Sequence, residues 1–510
     1  MTDQQQLSTM QNTEEEFQDS MFDTNTSSKS HQSVKEIEES KRQNLLDQYN
    51  MNAMNQVINS SESRPVNVID LNVLGANGKF RESFINKQLQ PIIYHMNDHG
   101  RNMTLSKLLK NIDQVHYNLM KSDVITNLGC QLSIPEQQPF NIFNPDLLNV
   151  IVNLQVVPVK KFFMKIGTNV GNGEGDGYVK LQWKNIFGGG ESLDLDTNIA
   201  SNELKMKSSK SEYLVNYSSP ILNSANYKFN SILYHSSRNI DFTSYHAQTI
   251  EGLTLKVGTN YLPVENKINH ELSFENLIRS IDIKRSTTPS YRNNTLPTDY
   301  FLFNAGSNFK SSLTYSLEKD TRDSKYIFEK GYYLRLANEL SLLSNNKFIK
   351  TSFDYSKGYR ISKDLLFNFN FKTGLINALS EDLIHPMDKF QLGGSNDMKG
   401  WLVSGMGPKQ MNMSVGGNYF HAIGFNVFAN IPHYTDSNFK LHWFTNVGKL
   451  TNYSKLDSNI LKKNCVSTGV GLSYSHPMAA FELNWVVPIS ANSNDHLRKG
   501  LQWGIGISFL

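Results

Sequence analysis

The sequence predicts a transmembrane β-barrel of about 16 antiparallel strands, preceded by one small α+β domain. Three observations carry this. From Phe162 onward, segment after segment alternates apolar and polar residues with period two. The segments mostly run about nine to twelve residues, longer than the usual soluble strand of about five or six and enough to cross a bilayer at a tilt. No helical pattern lies between them to cover the apolar side. Lipid can cover it, and in lipid an open sheet edge is too costly, so the sheet must close.

The bulk figures fit a wet interior. The chain has 510 residues, a net charge of +3 and 39% hydrophobic residues, with a mean hydropathy of −0.43. A charge so near neutral gives no electrostatic case for nucleic acid. Cys130 and Cys465 stand far apart, with no CxxC or Cys/His cluster, so neither a disulfide framework nor a zinc site is expected. No apolar run is long enough for a transmembrane helix. MTDQQQLSTMQNTEEEFQDS lacks the basic and apolar parts of a signal peptide.

Residues 1–63 are rich in Gln, Asn, Ser, Glu and Met, a disorder composition with a weak helical pattern over 34–57. Residues 64–160 read differently. VNVIDLNVLG is a strand, RESFINKQLQPII and TLSKLLKNIDQVHYNLMKS are helices, and GCQLSI and LLNVIVNLQVVPVK are strands. That order suggests a small α+β domain. The barrel then occupies 161–510. FFMKIGTNV sets Phe162, Met164 and Ile166 opposite Lys165 and Gly167. LLFNFNFK sets Phe367, Phe369 and Phe371 opposite Asn368 and Asn370. FELNW sets Phe481, Leu483 and Trp485 opposite Glu482 and Asn484. Strand starts are expected near 162, 178, 191, 211, 227, 248, 267, 310, 331, 347, 365, 415, 439, 464, 480 and 500. A soluble sandwich or propeller also alternates. Strand length, the aromatic outer parity and the lack of a blade-length repeat speak against it.

The barrel's most distinctive loop is MDKFQLGGSNDMKGWLVSGMGPK, residues 387–409. It lacks the Walker spacing of a phosphate loop. GNGEGDG, after Asn169, likewise fails the dinucleotide fingerprint. FQLGG-x₄-KGW, made of Phe390, Leu392, Gly393, Gly394, Lys399, Gly400 and Trp401, resembles the loop-six signature of the BamA-like outer-membrane assembly superfamily. GMGP, just downstream, resembles its mitochondrial branch, the core barrel of the sorting and assembly machinery. FTNVG, with Phe444, Asn446 and Gly448, resembles the family's strand-thirteen motif. NIFGGGE, residues 185–191, resembles an early-hairpin motif. The α+β segment resembles a single polypeptide-transport-associated (POTRA) domain; plastid relatives carry several.

One departure stands out: the family core carries Arg where this chain has Lys399, which keeps the charge and loses the planar fork. The resemblance implies that the loop folds into the barrel and that its cation meets the lumen face of Phe444, Asn446 and Gly448. Lys399 to a neutral Asn446 amide would be a weaker tie than an ion pair. The alternative is that Lys399 merely fills a wet lumen.

The chain's closing residues QWGIGISFL resemble the terminal-strand signal of mitochondrial β-barrels through Gln502, Gly504, Ile505, Ile507 and Phe509. The last strand should close on the first along a lateral seam that includes Met164, Ile166, Gly167, Gly504 and Gly506, where glycine weakens the strands. By resemblance the protein inserts β-barrel precursors into the mitochondrial outer membrane, with the POTRA-like domain in the intermembrane space. Implied partners are β-barrel precursors, metaxin-like subunits, inner-membrane contact-site complexes and membrane lipids. No cofactor, metal or catalytic residue is expected. The rival function is a passive pore. An enzyme on a barrel would want a nucleophile motif, and no GxSxG is present.

Overall fold

The computed structural model describes residues 62–506 apart from 77, 98–102, 136–146, 172–173, 201–209, 241–245, 284–298, 345, 381–382, 411–412, 433–436, 454–462 and 477–479. The N-terminal tail with its helical pattern at 34–57 lies outside the described residues, as do Ile507 and Phe509. The chain divides into two compact units. One holds the described residues up to 70, with 95–111 and 133–151; the other holds 71–94, 112–132 and 152–510.

The first 160 residues contribute β1 (Val66–Leu74), α1 (Glu82–Gln88), α2 (Gln90–Asn97), α3 (Leu105–Lys121), β2 (Ile125–Ser133) and β3 (Leu148–Pro158). The three strands form a sheet of order β1-β3-β2. The sequence suggests one helix over 81–93; the structure makes two. Leu89 closes α1, and Pro91, without an amide and with a ring that crowds the preceding turn, starts α2 afresh. Val152, Leu154 and Val156 of β3 and Val115 and Leu119 of α3 are buried, as the period-two and three-to-four spacings require.

Sixteen further strands make one antiparallel sheet. They are β4 (Phe162–Gly171), β5 (Glu174–Lys184), β6 (Ser192–Ala200), β7 (Lys210–Pro220), β8 (Tyr227–Ile240), β9 (His246–Thr259), β10 (Asn269–Ile283), β11 (Gly306–Asp320), β12 (Tyr332–Ser341), β13 (Phe348–Arg360), β14 (Leu365–Ala378), then β17 (Tyr419–Asn430), β18 (Phe439–Thr451), β19 (Cys465–Ser475), β20 (Ala480–Ser490) and β21 (Gly500–Gly506). Two short strands, β15 (Lys409–Gln410) and β16 (Met413–Ser414), pair inside the loop between β14 and β17. A five-residue helix, α4 (Asp299–Phe303), precedes β11. This is the transmembrane β-barrel of the sequence reading, and no helix among the described residues is long and apolar enough to cross a membrane.

Side-chain exposure follows the parity. Trp443, Trp485 and Trp503 are 48%, 59% and 46% exposed, whereas His442, Phe444, Asn446, Glu482, Asn484 and Gln502 are buried. The first set faces lipid and the second the interior. Strand lengths depart from the expectation: β8 and β9 run 14 residues, β10 and β11 15. Their outer faces explain it. Tyr213, His235, Glu251, Ile278 and Phe309 stand in register at the edge of the apolar face, where His235 Nδ1 already meets Glu251 Oε1 at 3.0 Å. Beyond them lie Ser237, Thr249, Ser280 and Ser307, a polar row on strands that continue past the band.

Antiparallel alternation fixes the two ends. The turns 185–191, 221–226 and 260–268 lie at the end where β4 begins. The 379–418 loop and the 491–499 turn lie at the other. Within the second unit, Arg81 pairs with Glu191 of the 185–191 turn. Lys121, whose side chain is fully buried, pairs with Glu265, which also accepts from Tyr117 Oη at 2.8 Å. Burial, with the Glu265 carboxylate adding, pushes the Tyr117 phenol up to about 12.

Candidate functional site

The loop between β14 and β17 lies against the inward faces of the strands. Glycine makes its path possible. Gly393, Gly394 and Gly400 have φ of +121°, +122° and +101°, a region that side chains rarely adopt. A Cβ on Gly393 would stand 2.5 Å from the Leu402 carbonyl oxygen. The backbone therefore doubles back, and the Met406 amide donates to the Leu392 carbonyl at 3.1 Å. Leu392, Met398, Trp401 and Met406 bury their side chains against Ala422, Leu450 and Cys465 of β17, β18 and β19. Phe390 exchanges backbone hydrogen bonds of 3.0 Å with Gly417 and packs its ring on Phe420, with centroids 4.7 Å apart.

Lys399 is buried. Its Nζ lies 3.3 Å from Glu482 Oε2 on β20 and 4.8 Å from the centre of the Phe444 ring. The Ser467 hydroxyl donates to its carbonyl at 2.6 Å. Asn484 Nδ2 donates to Glu482 Oε2 at 2.9 Å, which orients the carboxylate. The expected contact of Lys399 with Asn446 is not the one found. Asn446 Nδ2 donates to the Asp397 carbonyl at 3.3 Å, and the ammonium goes to the carboxylate. A charge-assisted pair outweighs a neutral amide. Phe444 and Asn446 do touch the loop, and Gly448 leaves room for Met398, whose Sδ would be 3.0 Å from a Cβ there.

The loop is also clipped to the turn between the last two strands. The Leu402 amide donates to the His496 carbonyl at 3.0 Å; the His496 and Arg498 amides donate back to Gly405 and Gly400 at 2.8 Å each. The Gly407 amide donates to Asp495 Oδ1 at 3.1 Å. Gln502 of β21 accepts from the Gly400 amide at 3.4 Å and donates to the Arg498 carbonyl at 2.5 Å. Lys409 Nζ donates to the carbonyls of Gly405 and Asn494 at 2.9 and 2.5 Å. Burial lowers its ammonium to about 8, partly offset by Asp495.

β4 and β21 stand at opposite ends of the strand order, with no ladder between them among the described residues. On β4, Met164 and Ile166 are 51% and 65% exposed. Gly167 has a structural use that the sequence did not suggest. Tyr178, its register partner on β5, lies across it, with ring atoms within 2.6–2.7 Å of a Cβ built there. On β21, Gly504 is buried beyond Gln502 on the same parity, while Ile505 and Gly506 pair in register with Phe481 and Ala480. Glu482 and the 491–499 turn were not singled out as loop partners. Glu482 was legible only as a lone acid on an inward parity.

Comparison with known proteins identifies the family and the fold. The model of the Omp85 superfamily domain matches residues 185–509. The sorting assembly machinery 50 kDa subunit of Saccharomyces cerevisiae is 31% identical, over 80% of this chain and 88% of its own. A SAM50-like protein of Schizosaccharomyces pombe is 28% identical over 90% and 94%. The human sorting and assembly machinery component 50 homolog is 24% identical over 70% and 75%. BamA from Haemophilus ducreyi lacking POTRA domains 1–3 shares the fold with a TM-score of 0.66 at 14% identity, covering 87% of this chain and 85% of its own. The chain belongs to the Omp85 superfamily and, within it, to the family of the sorting and assembly machinery 50 kDa subunits.

Proposed function

We propose that the chain inserts β-barrel precursors into the mitochondrial outer membrane by opening sideways between β4 and β21. The observation that carries this reading is the pair of sheet ends with no ladder between them among the described residues. A free strand edge offers a row of backbone donors and acceptors. An incoming precursor strand can pair with it by β-augmentation, which gives affinity without demanding a fixed sequence. Each new hairpin then grows on a paired edge, and its backbone groups do not meet bare lipid. The process makes and breaks no covalent bond, so we assign no catalytic residues.

In this reading Lys399, Gly400 and Trp401 hold the loop against the β20–β21 side of the seam. Residues 64–160 serve as a POTRA-like domain facing the intermembrane space, where precursors arrive. Their β-α-α-α-β-β order, the sequence-expected pattern with its first helix divided in two, supports this, as does a structural match to BamA longer than the barrel alone would supply. Metaxin-like subunits would sit at the opposite end, beside the 379–418 loop, with inner-membrane contact-site complexes on the POTRA side. A passive pore needs neither the loop nor the α+β region. Depletion of the protein, followed by import of newly made porin into isolated mitochondria, tests the reading. Porin should reach the organelle and stay extractable by alkali. Unchanged membrane insertion would refute the proposal.

A further inference from the structure

Lys399 and its neighbours hold the tip of the loop; its root is tied to a different wall. Asp388 is buried with Arg279 Nη1 of β10 at 2.8 Å and Lys310 Nζ of β11 at 3.0 Å. Lys310 also meets Glu339 of β12 at 2.5 Å. Lys350 of β13 donates to the Asp388 carbonyl at 2.9 Å. The side chains of Asp388 and Arg279 are each 3% exposed. Next to this cluster, Tyr300 of α4 donates its hydroxyl to the Ile384 carbonyl, and Lys389 Nζ stands 4.5 Å from the centre of the Tyr300 ring. None of these residues belongs to the FQLGG–KGW motif.

The segment between root and tip is not slack. Phe390 is bridged to Gly417, and Leu392 to Met406. Leu392, Met398 and Trp401 are packed in one buried cluster. Displacement at Asp388 therefore has a packed path to Gly400, which bonds both Arg498 and Gln502.

We propose that Asp388 is a second, positioning anchor, and that the loop is a brace tying the β10–β12 wall to the turn that delivers β21 to the seam. The inference deepens the proposed function and rests on it for what the seam does. The brace itself is a property of the resting chain and can be read without any precursor.

The test is hydrogen–deuterium exchange on the full chain in detergent micelles, comparing wild type with Asp388→Asn and Asp388→Glu. The brace predicts that Asp388→Asn speeds exchange at the Leu402, His496 and Arg498 amides by about tenfold or more. Asp388→Glu keeps the charge and should stay near wild type, and amides within β6 should not change in either variant. If Asp388→Asn fails to fold, Arg279→Lys gives the same readout by shortening the reach to Asp388 while keeping the charge. Loosening confined to residues 383–390, with the three distant amides within about twofold of wild type, would overturn the brace. Lost precursor insertion with unchanged exchange at those amides would overturn it too, and leave the proposed function standing.

Discussion

Replacing Lys399 by Met tests whether the loop's cation is a structural tie or filler in a wet lumen. The substitution roughly keeps volume and leaves Glu482 buried without its cation. Its Nζ lies 3.3 Å from the carboxylate. At an effective dielectric of about 20, unit charges at that distance interact by about 5 kcal/mol. Desolvation offsets part of this, and removing one partner of a buried pair typically costs about 3–5 kcal/mol. Asn484 remains to donate to Glu482, which places the expectation at the lower end. Removing both charges with Lys399→Met and Glu482→Gln should cost less than Lys399→Met alone. The assay is a double-mutant cycle on urea unfolding in micelles, scored by mobility of the folded barrel on cold gels. The geometry predicts a coupling of about 2–3 kcal/mol. A coupling below about 0.5 kcal/mol would refute the reasoning and return Lys399 to a solvated plug.

Three further outcomes are expected. Gly400→Ala forces a side chain into φ +101° with its Cβ 3.2 Å from Ser467 Cβ; it should destabilise loop docking by about 1–3 kcal/mol, measured as faster proteolysis within 390–409. For Asp388, burial raises the carboxyl, but Lys310 and Arg279 outweigh it and hold it at about 2. Its folded value lies below the unfolded one of about 3.9, so its stability contribution of about 2–3 kcal/mol is full above pH 4 and lost between about pH 4 and 2. The unfolding difference between wild type and Asp388→Asn should be flat from pH 7 to 5 and shrink only below about pH 4. Leu483→Arg places a cation on the lipid face and should cost about 2–4 kcal/mol in liposomes, whereas Ser467→Ala on the inward face should cost only about 1 kcal/mol for its bond to Lys399.

The barrel was legible because lipid outside and water inside impose one parity on every strand. Phe481, Leu483 and Trp485 against Glu482 and Asn484 announce their strand without help from neighbours. Strands β9 to β11 were harder to delimit because they run past the apolar band, where Thr249, Ser280 and Ser307 face outward and the alternation fades. The loop motif was legible from its glycines, since a backbone that doubles back at Gly393 and Gly400 tolerates little else. Its partners were not. Parity places Glu482 and Asn446 alike on the inner wall, and only the path of the loop decides which meets Lys399. Asp388 and Arg279 are more than a hundred residues apart. An ion pair of that span leaves no mark in either segment.

The seam is the claim on which the functional account depends. Single cysteines at Met164 and Ile166 on β4, and at Gln502 on β21, can be oxidised against a cysteine in the last strand of an arrested β-barrel precursor. Control cysteines belong at Phe369 on β14 and Trp443 on β18, away from the sheet ends. The account predicts disulfides to the β4 positions, formed only while the precursor is arrested. Disulfides that form at β14 or β18 and not at β4 or β21 would contradict it.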